Sequence, residues 1–294
     1  MTTSDGFIIG TTKLVDHGPA ESRWNLVVLG DGYQHDQITK YQNDTQNFVD
    51  HLRHTAPFDE LWDAVNIYRV DVVSADSGAD DPTACGGSGL VARTYFDASF
   101  CNYGIQRCLV CNSDMALSVA SAQVPEVHNT VVIVNSLVYG GSGGSVGTFS
   151  IAQSADEIGI HELGHTAFGL ADEYEYYSGC ERGETGHDMH SGNEPVQPNV
   201  TAQRDRARIK WNNLIAATTP VPSTKNADCT RCDSQGSPFP EGTVGAFEGA
   251  CHYHCRAYRP EFNCRMRALN YPFCAVCQLT IRMMLAPFLP SKQV

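Results

Sequence analysis

The chain has 294 residues, 42% of them hydrophobic, and a formal charge of −13. That is enough apolar content to fill a core, so general disorder is excluded. The acidic balance argues against nucleic acid as a partner, because binding phosphates takes a basic surface. No apolar run reaches the roughly 18 residues of a membrane span. The twelve cysteines favour an oxidising compartment, unless metals hold the thiols. The start, MTTSDGFIIG, has neither the basic nor the apolar stretch of a signal peptide, so the expectation of a secreted protein assumes a processed form.

Along the chain, Leu26 to Leu29 reads as a buried strand ending at Gly30-Asp31-Gly32. A helix is expected from about Gln37 to Arg53, a second strand over Val65 to Val73 and a third over Val131 to Val138. Strand–helix–strand order predicts an α/β fold with a mostly parallel twisted sheet. Gly140 to Gly144 reads as a flexible loop and lacks the pattern of a nucleotide site. Ser154 with Glu157 fits a capping box and starts another helix. Beyond Gly179 the chain turns irregular: a helix is expected over Ala202 to Ala217, loops from Pro220 to Gly249, and a last helix from about Cys277 to Leu285. The expected organisation is an N-terminal, cysteine-poor catalytic part (1–175) and a C-terminal, cysteine-rich part (176–294). From Cys255 onward the tail is basic, with Glu261 its only acid.

The helix after Ser154 carries His161-Glu162-Leu163-Gly164-His165. Four helical residues span 400°, so the two imidazoles lie on one face and reach a single ion, while Glu162 is turned toward a water on it. This is the H-E-x-x-H arrangement of zinc peptidases, and histidines on a helix surface are the bland alternative. A catalytic zinc needs a third protein ligand and an open position. A continuing helix would carry residues 172 and 173 out of reach. Gly169 offers a left-handed break that returns Asp172, the first choice, with Glu173 second and His187 or His190 third.

HELGHTAFGLADEY and FEGACHYHCRAYRPEFNCRMRALNYPFCAVC, with WNLVVLGDGY and VNIYRVDVVSADSGAD earlier, resemble the IgA-peptidase-type family of secreted bacterial zinc metallopeptidases. The resemblance spans roughly 24–285. It implies a metzincin-like catalytic domain in which His161 and His165 hold zinc, Glu162 is the base, and Met266 is the methionine of the turn beneath the metal. The usual metzincin helix has its glycine three residues after the second His. Here Phe168 is there, and both the glycine and the third ligand come one residue later. Tyr258 and Tyr174 are both candidates for stabilising an oxyanion.

The expectation is therefore a secreted zinc endopeptidase acting on proteins or peptides, with a non-catalytic, zinc-stabilised binding domain as the alternative. Substrate is expected along an exposed strand edge at Gly147 to Ala152, through Thr148 and Phe149. Cys229, Cys232, Cys251 and Cys255 have the spacing of a zinc knuckle, though disulfides are preferred there. Bridges are likewise expected at Cys108/Cys111 and Cys274/Cys277. Asp76, Asp80 and Asp81 form a candidate Ca2+ site that is more simply an acidic turn. Asn43 and Asn199 fit glycosylation acceptors. Arg265 and Arg267 are expected to pair with acids of the catalytic half. Substrate identity and oligomeric state are not legible.

Overall fold

The computed structural model describes residues 5–176, 189–230 and 236–290. The chain divides into two compact units, Met1–Ala167 with Met284–Val294, and Phe168–Met283.

The first unit is built on a six-stranded sheet. Its strands are β1 (Gly6–Val15), β2 (Trp24–Asp31), β3 (Val65–Ser74), β4 (Asn129–Val134), β5 (Gly141–Ser142) and β6 (Gly147–Ser150), in the order β1-β3-β2-β4-β6-β5. The pairs β2–β3, β2–β4 and β4–β6 are parallel, whereas β1–β3 and β5–β6 are antiparallel. Every residue of β2 and β4 is buried, as expected of central parallel strands covered on both faces. Between the strands lie α1 (Ile38–Arg53), the short α2 (Phe58–Leu61) and α3 (Ser113–Gln123), with α4 (Ala155–Phe168) after β6. Helix α1 packs close to the sheet because Gly30 lacks a side chain: a Cβ there would stand 2.7 Å from the Tyr41 ring.

The third strand ends at Val134, short of the expected Val138. Asn135 stops it. Its backbone N–H donates to Asp31 O, and its side-chain amide donates to Gly32 O, Gln37 Oε1 and Ser77 Oγ. The edge strand β1 has no counterpart in the sequence reading, because GFIIGTTKLV mixes glycine and threonine into a weak apolar pattern.

The second unit contains a hairpin, β7 (Phe247–Ala250) and β8 (Tyr253–Arg259), irregular chain, and all but the last two residues of the helix α5 (Ala275–Leu285). The helix expected over Ala202–Ala217 does not form; 3-10 turns at Arg206–Arg208 and Asn212–Leu214 take its place. Asp205 accepts from Ala207 N–H in a local turn, and the buried positions Ile209, Trp211 and Ile215 do not follow a helical stripe. Side chains replace the missing ladders. Lys210 Nζ donates to the carbonyls of Pro195, Gln197 and Val200, and Trp211 Nε1 to Gly245 O at 2.7 Å. A disulfide joins Cys229 to Cys255 across 26 residues, a closure worth roughly 3.5 kcal/mol through the unfolded chain.

Candidate metal centre

Helix α4 begins at Ala155, directly after Ser154, whose φ is +65°. The Glu157 and Ile158 N–H groups donate to Ser154 O. Ile158, Ile160 and Leu163 are buried. Gly159 lets the Phe149 ring approach, since a Cβ there would lie 2.7 Å from it. This seating fixes the rotation of the helix about its axis, and with it the direction of the next turn.

On that turn, His161 Nε2 and His165 Nε2 stand 3.1 Å apart, with the rings at 83°. Two nitrogens bound to one tetrahedral zinc at about 2.05 Å would stand about 3.3 Å apart, so the pair is already set for a shared ion. Glu162 is buried beside the glycine loop. A Cβ on Gly141 would come within 3.2 Å of Glu162 Oε1, and one on Gly143 within 3.2 Å of Oε2 and 2.8 Å of His165 Cβ. The glycines read as a flexible loop thus allow backbone to approach the carboxylate closely.

The helix ends at Phe168, and Gly169 takes the left-handed conformation (φ +61°) that the sequence reading required. The four residues Ala171 to Tyr174 have no regular structure, yet their backbone is held on both sides. Asn199 accepts from Ala171 N–H and donates to Ala171 O and to Glu173 Oε1. Cys251 N–H donates to Asp172 O, Glu173 N–H to Met266 O, and His252 N–H to Tyr174 O. Among the described residues, one ligand atom each of His161, His165 and Asp172 lie within 4.8 Å of one another. His252 is the residue that sequence reasoning missed. Its Nε2 lies 3.0 Å from Asp172 Oδ2, and its ring packs on Tyr174. Only its place in the quoted CHYHC stretch hinted at it.

The chain matches the IgA peptidase M64 family over residues 12–235 and 233–285. It belongs to that family. No curated protein matches it. Membership of a peptidase family makes the helix, its two histidines and the intervening glutamate the first place to look for hydrolytic chemistry.

Against that family background, the other expected site residues fall as follows. Glu173 is not beside the histidines. It is fully buried, grouped with Cys264, Cys274 and Cys277, and burial pushes its carboxyl well above the usual range. His187 lies outside the described residues, and His190 packs against Tyr253 instead. Met266 is fully buried in a tight turn where the Arg267 and Ala268 N–H groups both donate to Cys264 O. Tyr258 is committed to Glu248 at 3.2 Å, and burial beside that carboxylate pushes its hydroxyl up to about 12, whereas the Tyr174 ring packs on His252.

Several expectations are corrected. Thr148 and Phe149 are buried in β6, and β5 pairs along them, so they form no open edge for substrate. The aspartates of the acidic turn are separately engaged: Asp76 with Arg93, Asp80 with Ala92 N–H, and Asp81 with Ser88 N–H. These bonds fit the acidic turn that the sequence reading preferred. Bridging of Cys229 to Cys255 removes two thiolates from the zinc-knuckle reading, and Cys232 lies outside the described residues. Cys108, Cys111, Cys274 and Cys277 are thiols, whereas Cys85 bridges to Cys101. Asn199 is fully buried as the clamp on Ala171, so a glycan there is incompatible with this fold. Arg267 does pair with an acid of the expected catalytic part, Glu175 at 2.9 Å, although both residues lie within Phe168–Met283; Arg265 lies instead over the Phe273 ring.

Proposed function

We propose that this chain is a zinc-dependent endopeptidase that hydrolyses peptide bonds of extracellular proteins. The observation that carries the reading is the convergence of His161, His165 and Asp172 on one point beside Glu162. Two imidazoles and one carboxylate, with a fourth position left for water or substrate, are the donor set of a catalytic zinc. When bound there, zinc supplies a lowered pKa for a water and polarisation of the scissile carbonyl.

The chain's own residues do the rest. Glu162 takes the proton of the attacking water and delivers it to the leaving amine. His252 holds the Asp172 carboxylate in place, as outer partners of metal ligands do. Met266, through its carbonyl and its tight turn, supports the stretch that carries Asp172. Tyr174 is the candidate donor to the developing oxyanion. Extended substrate runs along the exposed Gly143-Gly144 stretch. Secretion is supported by the disulfides Cys85–Cys101 and Cys229–Cys255.

The test is cleavage of a denatured protein. Chelation is expected to abolish it. Glu162→Ala is expected to lower it by about 10²–10⁴-fold while zinc at the histidines is retained. His161→Ala with His165→Ala is expected to lose that zinc and all cleavage. Activity persisting in Glu162→Ala would sink the proposed base. Bound zinc with no cleavage of any protein would favour the scaffold reading.

A further inference from the structure

A second group of metal-ligating side chains lies wholly within Phe168–Met283: Glu173, Cys264, Cys274 and Cys277, all buried, with ligand atoms within 4.8 Å of one another. We propose that these four residues bind a second, structural zinc ion. The site does not rest on the catalytic reading above, and the two ideas fail separately.

The geometry is that of a tetrahedron. Cys264 Sγ and Cys277 Sγ stand 3.8 Å apart. Two thiolates about 2.3 Å from a tetrahedral zinc would stand about 3.8 Å apart. Glu173 Oε1 lies 3.7 Å from Cys274 Sγ and 3.3 Å from Cys277 Sγ. A carboxylate oxygen and a thiolate on the same zinc would be separated by about 3.6 Å. The sulfurs are further apart than a disulfide's roughly 2.05 Å, and a bridge between any two would strand the third.

The surroundings are those of thiolates. Cys264 Sγ accepts from Met266 N–H at 3.5 Å and from Cys274 N–H at 3.2 Å, and Cys274 Sγ from Cys277 N–H at 3.5 Å. Cys274 and Cys277 bracket the start of α5, where unpaired N–H groups favour negative charge. Glu173 Oε2 is buried without a hydrogen-bond partner, a costly state that a bound cation relieves. Three soft sulfurs and one oxygen in a closed, four-coordinate set select zinc over the hard divalent cations. Closure also gives the site no open position for chemistry. Its effect is to fasten Glu173, next to Asp172, to the turn of Met266 and to α5.

The full chain, loaded with zinc and desalted, should hold two equivalents by elemental analysis. His161→Ala with His165→Ala should keep one, released by a mercurial thiol reagent. With cobalt in place of zinc, that double variant should show the near-ultraviolet band of sulfur-to-cobalt charge transfer. In that background Cys277→Ser and Glu173→Gln should each weaken the retained metal, and Cys277→Ser should also diminish the band. If Cys277→Ser fails to fold, the double-histidine variant decides alone. A double-histidine variant that binds no metal overturns the proposal, as does peptide mapping that finds Cys264 in a disulfide. Two equivalents in wild type with none lost in the double-histidine variant would overturn the catalytic site and leave this one standing.

Discussion

In Met1–Ala167 the backbone hydrogen bonds run strand to strand, over a cluster of Val27, Leu29, Val70, Val72, Val132 and Val134 with their aromatic neighbours. In Phe168–Met283 the work falls to polar side chains: Asn199, Lys210, Trp211 and Arg259 each bond to buried or looped backbone, and one apolar cluster there is only Val200, Ala250 and Ala257. The first arrangement is cooperative and tolerant, because each ladder bond is one of many. The second concentrates the order of a segment in single residues, so one substitution removes several bonds. The proposed ligand Asp172 sits in the second kind of environment, while His161 and His165 sit on a helix of the first.

The sharpest break of that contrast is Asn199→Ala. It leaves the Ala171 N–H and C=O and the Glu173 carboxylate without their shared partner, at about 1–3 kcal/mol for each buried group. A total loss of roughly 3–9 kcal/mol is expected from denaturant unfolding, with fast amide exchange at 170–174. Leu29→Ala should cost about 2–5 kcal/mol but leave exchange at 170–174 unchanged. Equal exchange in the two variants would erase the distinction.

Buried carboxyls sharpen the contrast through pH. Burial, outweighing bonds from Phe96 N–H, Thr94, Ala98 N–H and Ser74, pushes Asp31 in the first unit up to about 6. A raised folded pKa means that the stabilising contribution is full below the unfolded value and lost as pH rises through about 6. Glu175 in the second unit goes the other way. Burial alone would raise it, but the Arg267 hydrogen bond and the charges of Arg259 and Arg267 hold it below its ordinary range. Its contribution is present above the unfolded value and lost as pH falls through the lowered one. The stability difference between wild type and Asp31→Asn should therefore shift by about 3 kcal/mol between about pH 4 and 7, at about 1.4 kcal/mol per pKa unit. Glu175→Gln should flatten only the acid limb.

The smallest expected effect is His252→Ala. It should weaken zinc at the histidine site by about 10–100-fold while unfolding of the apo chain changes little. Unaltered zinc affinity would reduce His252 to packing.

Much of the fold could be read along the chain because its signals are local. Continuous apolar runs marked β2, β3 and β4, and the four-residue spacing put His161 and His165 on one helix face. Gly169 pointed to the return that groups Asp172 with them. What escaped the sequence was non-local. His252 meets Asp172 from 80 residues away. Cys274 and Cys277 read as a bridge because their spacing carries no sign of Cys264 and Glu173 joining them. The segment from Ala202 to Ala217 has helical propensity but buries residues on no helical stripe, so packing overrode it. The open edge assigned to Thr148 and Phe149 was lost to a two-residue strand too short to show a period.

The glycines opposite Glu162 have a consequence for evolution and for acidity alike. With Gly141 and Gly143 so near both carboxylate oxygens, a Cβ at either would crowd Glu162, together with Ile158 at the first position and His165 at the second. The stretch from Gly140 to Gly144 holds no ionisable group. The neighbours it presents to that carboxylate are peptide dipoles and one serine, whose field is the same in acid and in base.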